Sequence, residues 1–367
     1  METTGQKQGF WRRHWKVVVN IITLVALAVL VWAIRDQFAE TFKNLFKVHA
    51  WALLLLIPIQ FFNYDAQTRL YRGLFSAVGN KLQYWRLFRA GLELNFVNHV
   101  FPSGGVTGIS YWGIRMKDTR ITAAKATAVH LTKLVLLFLS FEILVVLGVF
   151  SLAVQGHMSS LVLMLAAVIA TVLVFLTTGF MFVIGSKERI AGFFTYVTRG
   201  LNNLVRFFRP RSQDAISTAK VRALFEDLHE NYMVMRRNPR LLRKPFFWAL
   251  MANAWEIVSI YIVYVAFGEW VNIGAIILAY AVANFAGLVS VLPGGVGVYE
   301  GLMTLTLSAT GVPSRLSLPV TVMYRILNTI IQLPPGWYFY HRALNQPKTE
   351  PLVEPLPAAK EETRDSR

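Results

Sequence analysis

The sequence predicts an all-α polytopic membrane protein with about six full transmembrane helices and two re-entrant broken-helix hairpins in an inverted repeat. Three observations predict it. Several apolar runs approach or exceed the roughly 18 residues that cross a bilayer. The basic residues are concentrated between those runs, and two apolar stretches are interrupted by Pro-Gly-rich breaks at corresponding places. The chain is 55% hydrophobic and only 16% charged, with a mean hydropathy of +0.46. Ordinary soluble domains carry roughly 25% charged residues, so a soluble core is excluded.

Val17–Ile34 follows a basic and aromatic flank (Trp11, Arg12, Arg13, Trp15, Lys16) that places the N-terminus on the inner face. No small-x-small cleavage site follows it, so it reads as a retained helix. Arg35–His49 mixes both charges and suits the outside. Trp51–Tyr64 is a shorter helix with Pro58 inside that returns inward, where Arg69, Arg72, Lys81, Arg86 and Arg89 follow. Ala90–Met116 has basic residues on both flanks, so both ends lie inside and the segment is a hairpin. Its break is Phe101-Pro102-Ser103-Gly104-Gly105-Val106-Thr107-Gly108. Ala126–Val154 crosses outward, Gln155–Ser159 turns the chain, and Leu161–Ile184 returns.

Residues 186–244 hold 13 Lys/Arg against 5 Asp/Glu, a surplus of eight within a net charge of +17. They read either as amphipathic helices on the inner leaflet or as a plain loop. Phe246–Phe267 crosses outward. Asn272–Thr310 carries almost no positive charge at its ends and enters as a hairpin from outside. Leu316–Tyr340 comes back in, stopped by Pro334-Pro335-Gly336. One membrane domain therefore covers residues 1–344, with repeats at about 50–154 and 246–340 and a disordered cytoplasmic tail over 345–367.

The second break, Leu292-Pro293-Gly294-Gly295-Val296-Gly297-Val298-Tyr299-Glu300, is the most informative stretch. Proline lacks the helical donor and glycine costs about 1 kcal/mol against alanine in a helix. Broken backbone in a bilayer must be satisfied by protein or water. Glu300 falls where a second half-helix begins, and its carboxylate suits the unsatisfied amides there. Paired broken segments in two halves point to a transporter-like site; a kinked helix is the plainer alternative.

Charges inside a span cost at least about 2.5–3.5 kcal/mol on insertion scales. Glu142 and Glu256 lie near the middle of their crossings, as functional groups or as structural partners. Lys133 is nine residues from Glu142, about 180° round the helix, so the two need separate partners. Lys133 could also snorkel inward, and His130 beside it could be a satisfied core histidine. On the last crossing Thr321, Arg325, Asn328 and Gln332 form one polar stripe at helical spacing. Counting about 1.5 Å per residue from Leu318 puts Arg325 roughly 10 Å deep, within reach of Glu300 or of a lipid phosphate.

Enzyme signatures are missing. The seven His residues show no ligand spacing, there is no H-E-x-x-H, G-x-x-x-x-G-K-[ST] or G-x-S-x-G, and there is no Cys. No metal or cofactor is expected. The basic surplus lies in membrane loops and so suits anionic lipid rather than nucleic acid.

Leu292–Glu300, followed by Gly311-Val312-Pro313 and Tyr324-Arg325, resembles the signature of the lysylphosphatidylglycerol synthase transmembrane-region family over roughly Trp51 to Tyr340. The resemblance implies a flippase fold of the bacterial cytoplasmic membrane, with hairpins meeting near the midplane. Many members carry a Gly-Glu pair after the first proline, whereas Pro102–Gly108 has no carboxylate, which leaves the lipid open. Bifunctional members add a soluble aminoacyl-transferase domain; none follows Tyr340 here, so lysyl transfer is not expected. The expected function is movement of an anionic phospholipid or lipid-linked headgroup along Pro102, Gly104, Gly105, Gly108, Pro293, Gly294, Gly295, Gly297, Glu300, Arg325, Asn328, Glu256, Glu142 and Lys133. The alternative is an enzyme, or partner subunit of one, modifying a lipid headgroup. A homodimer and a partner enzyme are both compatible with the sequence.

Overall fold

The computed structural model describes residues 48–100, 121–156, 160–186, 188–189, 192, 230, 232–234, 236–289 and 297–345. Val17–Ile34, the break with Pro102, Gly104, Gly105 and Gly108, most of 186–244, the Pro293-Gly294-Gly295 run and the tail lie outside them. The described elements are helical. A turn, Ala50–Leu53, leads into α1 (Leu56–Ala77), α2 (Tyr84–Val100), α3 (Ala123–Val154) and α4 (Ser160–Ile184). A 3-10 turn, Pro239–Leu242, feeds α5 (Arg243–Ala266), followed by α6 (Ile273–Val289), α7 (Val298–Ala309) and α8 (Ser314–Asn345).

Four stretches are long and apolar enough to cross a membrane: Lys125–Val154, Ser160–Gly179, Pro239–Ala266 and Ser314–Ala343. Their outward faces carry apolar side chains such as Phe150, Phe175 and Phe182, as lipid-facing helices require. Two expected boundaries are corrected. The helix placed at Trp51–Tyr64 begins at Leu56 and runs past Tyr64 to Ala77. Pro58 falls in its first turn, where a missing N–H costs nothing. The last helix does not stop at Pro334-Pro335-Gly336 but continues to Asn345. Packing against α2 outweighs the lost bonds there. The Phe96 and Tyr340 rings meet at a tilt of 42° with centroids 5.3 Å apart, and a Cβ on Gly336 would lie 2.7 Å from the Leu92 carbonyl oxygen. Proline is tolerated in membrane helices where neighbours brace the backbone in this way.

α6 and α7 pack against each other on either side of residues 290–296. The 12 residues of α7 extend about 18 Å, short of a roughly 30 Å hydrocarbon core. The two ends of the chain exchange helices: α2 packs on α8, α6 packs on α3, and α1 lies along α5. Both exchanged crossings depend on a missing side chain. Gly336 plays that part at α2–α8. At α3–α6 a Cβ on Gly274 would sit 2.2 Å from the Gly148 carbonyl oxygen. Asn272 secures the second crossing: its Oδ1 accepts from the Gly274 N–H at 2.6 Å and from Ser151 Oγ at 3.1 Å.

Among the described residues the two larger apolar clusters have polar residues between them, and a small third one (Phe96, Val97, Val100) lies at the α2–α8 contact. Along α1, Leu56 belongs to one cluster and Leu70, Leu74 and Phe75 to the other, with Gln60, Asn63 and Gln67 in between. Along α5, Ala249 belongs to the second and Ile257 and Ile260 to the first, with Asn253 and Glu256 in between.

Candidate functional site: a polar belt between two apolar layers

α5 carries Glu256 inward because Ala252, Ile260 and Val263 share its buried side. Glu256 Oε2 accepts from Asn63 Nδ2 on α1 at 3.0 Å. Oε1 accepts from the Tyr324 hydroxyl and, at 3.0 Å, from Asn328 Nδ2, both on α8. Three helices therefore meet at one carboxylate.

Two arms of hydrogen bonds run from it. In the first, Asn63 Oδ1 accepts from Gln67 Nε2 at 2.7 Å, and Gln67 Oε1 accepts from Lys133 Nζ on α3 at 3.2 Å. An ammonium group only donates and an ionised carboxylate only accepts, so with both ends ionised the orientation of each amide between them is dictated. In the second, Gln332 Nε2 donates to Asn328 Oδ1 at 2.6 Å and to Gln60 Oε1 at 3.0 Å, while Gln332 Oε1 accepts from Asn95 Nδ2 on α2 at 2.7 Å. Gln60 Nε2 passes the chain to Ser259 Oγ at 3.0 Å.

Lys133 is buried rather than snorkelling, with Nζ 4.5 Å from the centroid of the Tyr71 ring. No carboxylate among the described residues pairs with it. With Gln67, Asn95 and Asn98 it borders a cavity of about 50 Å³, room for water molecules. His130 is satisfied by the Tyr71 hydroxyl at 2.9 Å.

Glu300 and Arg325 form an ion pair. Gly297 has a φ of 85°, a left-handed conformation that glycine adopts without penalty, and it ends the break. Its N–H donates to Glu300 Oε2 at 2.7 Å, so the carboxylate caps α7 with one oxygen and holds the guanidinium with the other. The Arg325 guanidinium also lies 4.6 Å from the Tyr299 ring centroid. The Glu300 side chain is 5% exposed and that of Arg325 is 19% exposed, so the arginine sits at the wetter edge.

Of the residues expected to form a path, the structure brings together Lys133, Glu256 and Asn328 through the belt. Glu300 and Arg325 stand beside it, since Arg325 adjoins Tyr324 on α8. Glu142 stands apart, accepting from Thr177 Oγ1 on α4 at 2.8 Å. Pro102, Gly104, Gly105, Gly108, Pro293, Gly294 and Gly295 lie outside the described residues.

A model of the lysylphosphatidylglycerol synthase TM region matches residues 19–336. The chain belongs to that family. Among its family relatives, a UPF0104 membrane protein of Methanothermobacter thermautotrophicus is 23% identical over 318 residues, covering 86% of this chain and 92% of the relative. A UPF0104 membrane protein of Pyrococcus horikoshii is 20% identical over 268 residues, covering 66% of this chain and 77% of the relative. Both come from archaea, so these relatives do not carry the bacterial assignment. The match extends across every helix from α1 to α7 and most of α8, so belt and ion pair both lie within the family region.

Sequence reasoning passed over Gln60, Asn63 and Gln67. They fall three and four residues apart, the same spacing that exposed the stripe on α8, but carry no charge to draw attention. Asn95 gave no periodic signal, and Tyr324, three residues from Thr321 and four from Asn328, entered only as part of the Tyr324-Arg325 motif.

Proposed function

We propose that the protein translocates a lipid, or a lipid-linked headgroup, between the leaflets of its membrane. The observation that carries this reading is the polar belt: side chains from α1, α2, α3, α5 and α8 joined in hydrogen bonds inside a bundle whose outer faces are apolar. Ionisable groups in such a place are costly unless a polar path uses them. The belt offers amide, phenol, ammonium and guanidinium donors that can replace water around an anionic headgroup while acyl chains stay in lipid. The exchange of α2 and α6 between the chain ends supports an inverted repeat with hairpins entering from opposite faces. An anionic phospholipid is the substrate class that Lys133 and Arg325 favour. In liposomes, the purified protein should speed bleaching of inner-leaflet fluorescent phospholipid by an impermeant reductant, with no change in lipid mass. Altered headgroups without faster bleaching would replace this reading with the enzymatic one.

The termini and residues 186–244 are assigned to the cytoplasm by their basic surplus. Because the chain has no Cys, single cysteines can report each loop. Cysteines in 186–244 should resist an impermeant thiol reagent in intact cells while one at Gln155 reacts; the opposite pattern would invert the topology.

A further inference from the structure

Beside the basic end of the α1–α5 contact lies a concavity of about 860 Å³, within the range of ligand pockets. Gly73, one of its lining residues, makes a tight contact with α5: a Cβ there would lie 2.9 Å from Pro245 Cγ. The walls of the concavity carry five cations, Arg69, Arg72, Lys81, Arg243 and Lys244, beside Phe247 and Trp248.

Two of the cations are occupied. Arg69 Nε donates to both Asp65 oxygens at 2.8 Å and its guanidinium lies 4.8 Å from the Trp248 ring centroid. Arg72 Nε donates to the Leu82 carbonyl at 3.1 Å. Lys81, Arg243 and Lys244 have no carboxylate partner among the described residues. The last two open α5, which has no acidic residue in its first turn and no side-chain cap, and the 3-10 turn before it is also uncapped. Cations at the positive end of a helix are electrostatically mismatched, and an anion placed there answers their charges. The adjoining wall is apolar, with Phe247 half exposed. A free phosphate uses only the charged half of such a pocket, whereas a phospholipid uses both.

We propose that this pocket binds an anionic glycerophospholipid of the adjoining leaflet, its phosphate on Lys81, Arg243 and Lys244 and its glycerol and first acyl carbons on Phe247 and Trp248. The site is separate from the belt and does not depend on the translocation reading. Basic pockets between transmembrane helices recognise anionic headgroups in this manner.

The test is native mass spectrometry of the full chain in detergent, titrated with phosphatidylglycerol, phosphatidylcholine and glycerol 3-phosphate. Phosphatidylglycerol should bind most tightly, and the triple variant Lys81→Gln, Arg243→Gln, Lys244→Gln should weaken it roughly a hundredfold, from the loss of three surface cations. Equal weakening by the control triple Arg236→Gln, Arg237→Gln, Arg240→Gln would reduce the effect to diffuse charge and overturn the proposal. So would unchanged binding by the pocket variant, equal binding of phosphatidylcholine, or equal binding of glycerol 3-phosphate, which would mark a soluble-anion site. The six side chains exchanged in these two variants are all on the surface, and an unchanged elution profile verifies that each variant folds.

Discussion

Arg325→Gln is expected to reduce lipid translocation to less than about a tenth of the wild-type rate and to lower stability by about 3 kcal/mol. Removing one partner of a buried ion pair costs roughly 3–5 kcal/mol, because the other charge is left behind. The lower end applies here, since Arg325 keeps some contact with water. Glu300→Gln should be milder: an amide oxygen can still accept from the Gly297 N–H, and Arg325 remains free to meet a phosphate. A charge pair judged by its charges alone would be partly restored by the exchange Glu300→Arg with Arg325→Glu. The geometry predicts that it fails, because an arginine at 300 cannot accept from Gly297 and adds a cation to the positive end of α7. Arg325→Lys should be intermediate, keeping the charge without the planar contact on Tyr299. Thermal melts and the liposome assay read both quantities. Wild-type translocation by Arg325→Gln and Glu300→Gln together would leave the pair a structural clamp.

Glu256→Leu should be the second severe change, costing about 3 kcal/mol or more and abolishing translocation. It strands donors from Asn63, Tyr324 and Asn328, and each buried donor without an acceptor costs about 1–3 kcal/mol. Glu256→Gln is the more diagnostic variant. Its NH2 group must face either the Asn63 amide nitrogen or the donors of α8, and Asn63 cannot simply turn over because Gln67 holds its oxygen. Gln67 is held in turn by Lys133. Removing the donor-only group at Lys133 eases the Gln67 end of this conflict, while the Ala252 carbonyl goes on accepting from Asn63 Nδ2 at 2.9 Å. Adding Lys133→Gln should therefore partly recover the stability lost in Glu256→Gln, a positive coupling across two intervening residues. If the two effects simply add, the oriented chain from Lys133 to Glu256 is not intact in the folded protein.

The sequence disclosed those parts of the site that carry charge or periodicity. Thr321, Arg325, Asn328 and Gln332 share one helical face, and a face of that kind inside an apolar run has to meet protein or water. Glu300 was legible because a carboxylate beside a Pro-Gly break sits at a helix start. Partner choice was less legible, since it depends on which helices touch. Glu142 looked equivalent to Glu256 by depth, yet α4 supplies Thr177 and takes it out of the belt. Lys133 was weighed as a snorkelling side chain, but α1 presents Gln67 and Tyr71 to it instead. Pro334-Pro335 reads as a stop in isolation, and only the contact with α2 carries the helix through.

The glycine crossings have a mechanical consequence. α2 leans on α8 through Gly336, and α6 leans on α3 through the Gly148–Gly274 contact, and in each the nearest atom is a backbone carbonyl oxygen that cannot swing aside as a side chain would. α2 is thus seated on the long helix α8 and α6 on the long helix α3, like two levers resting on each other's fulcrum. Motion of one must be taken up at the seat of the other. Neither half has a complete bearing surface of its own, so a shift of α2 or α6 is passed to the other half through close backbone contact as well as through side chains such as Asn272.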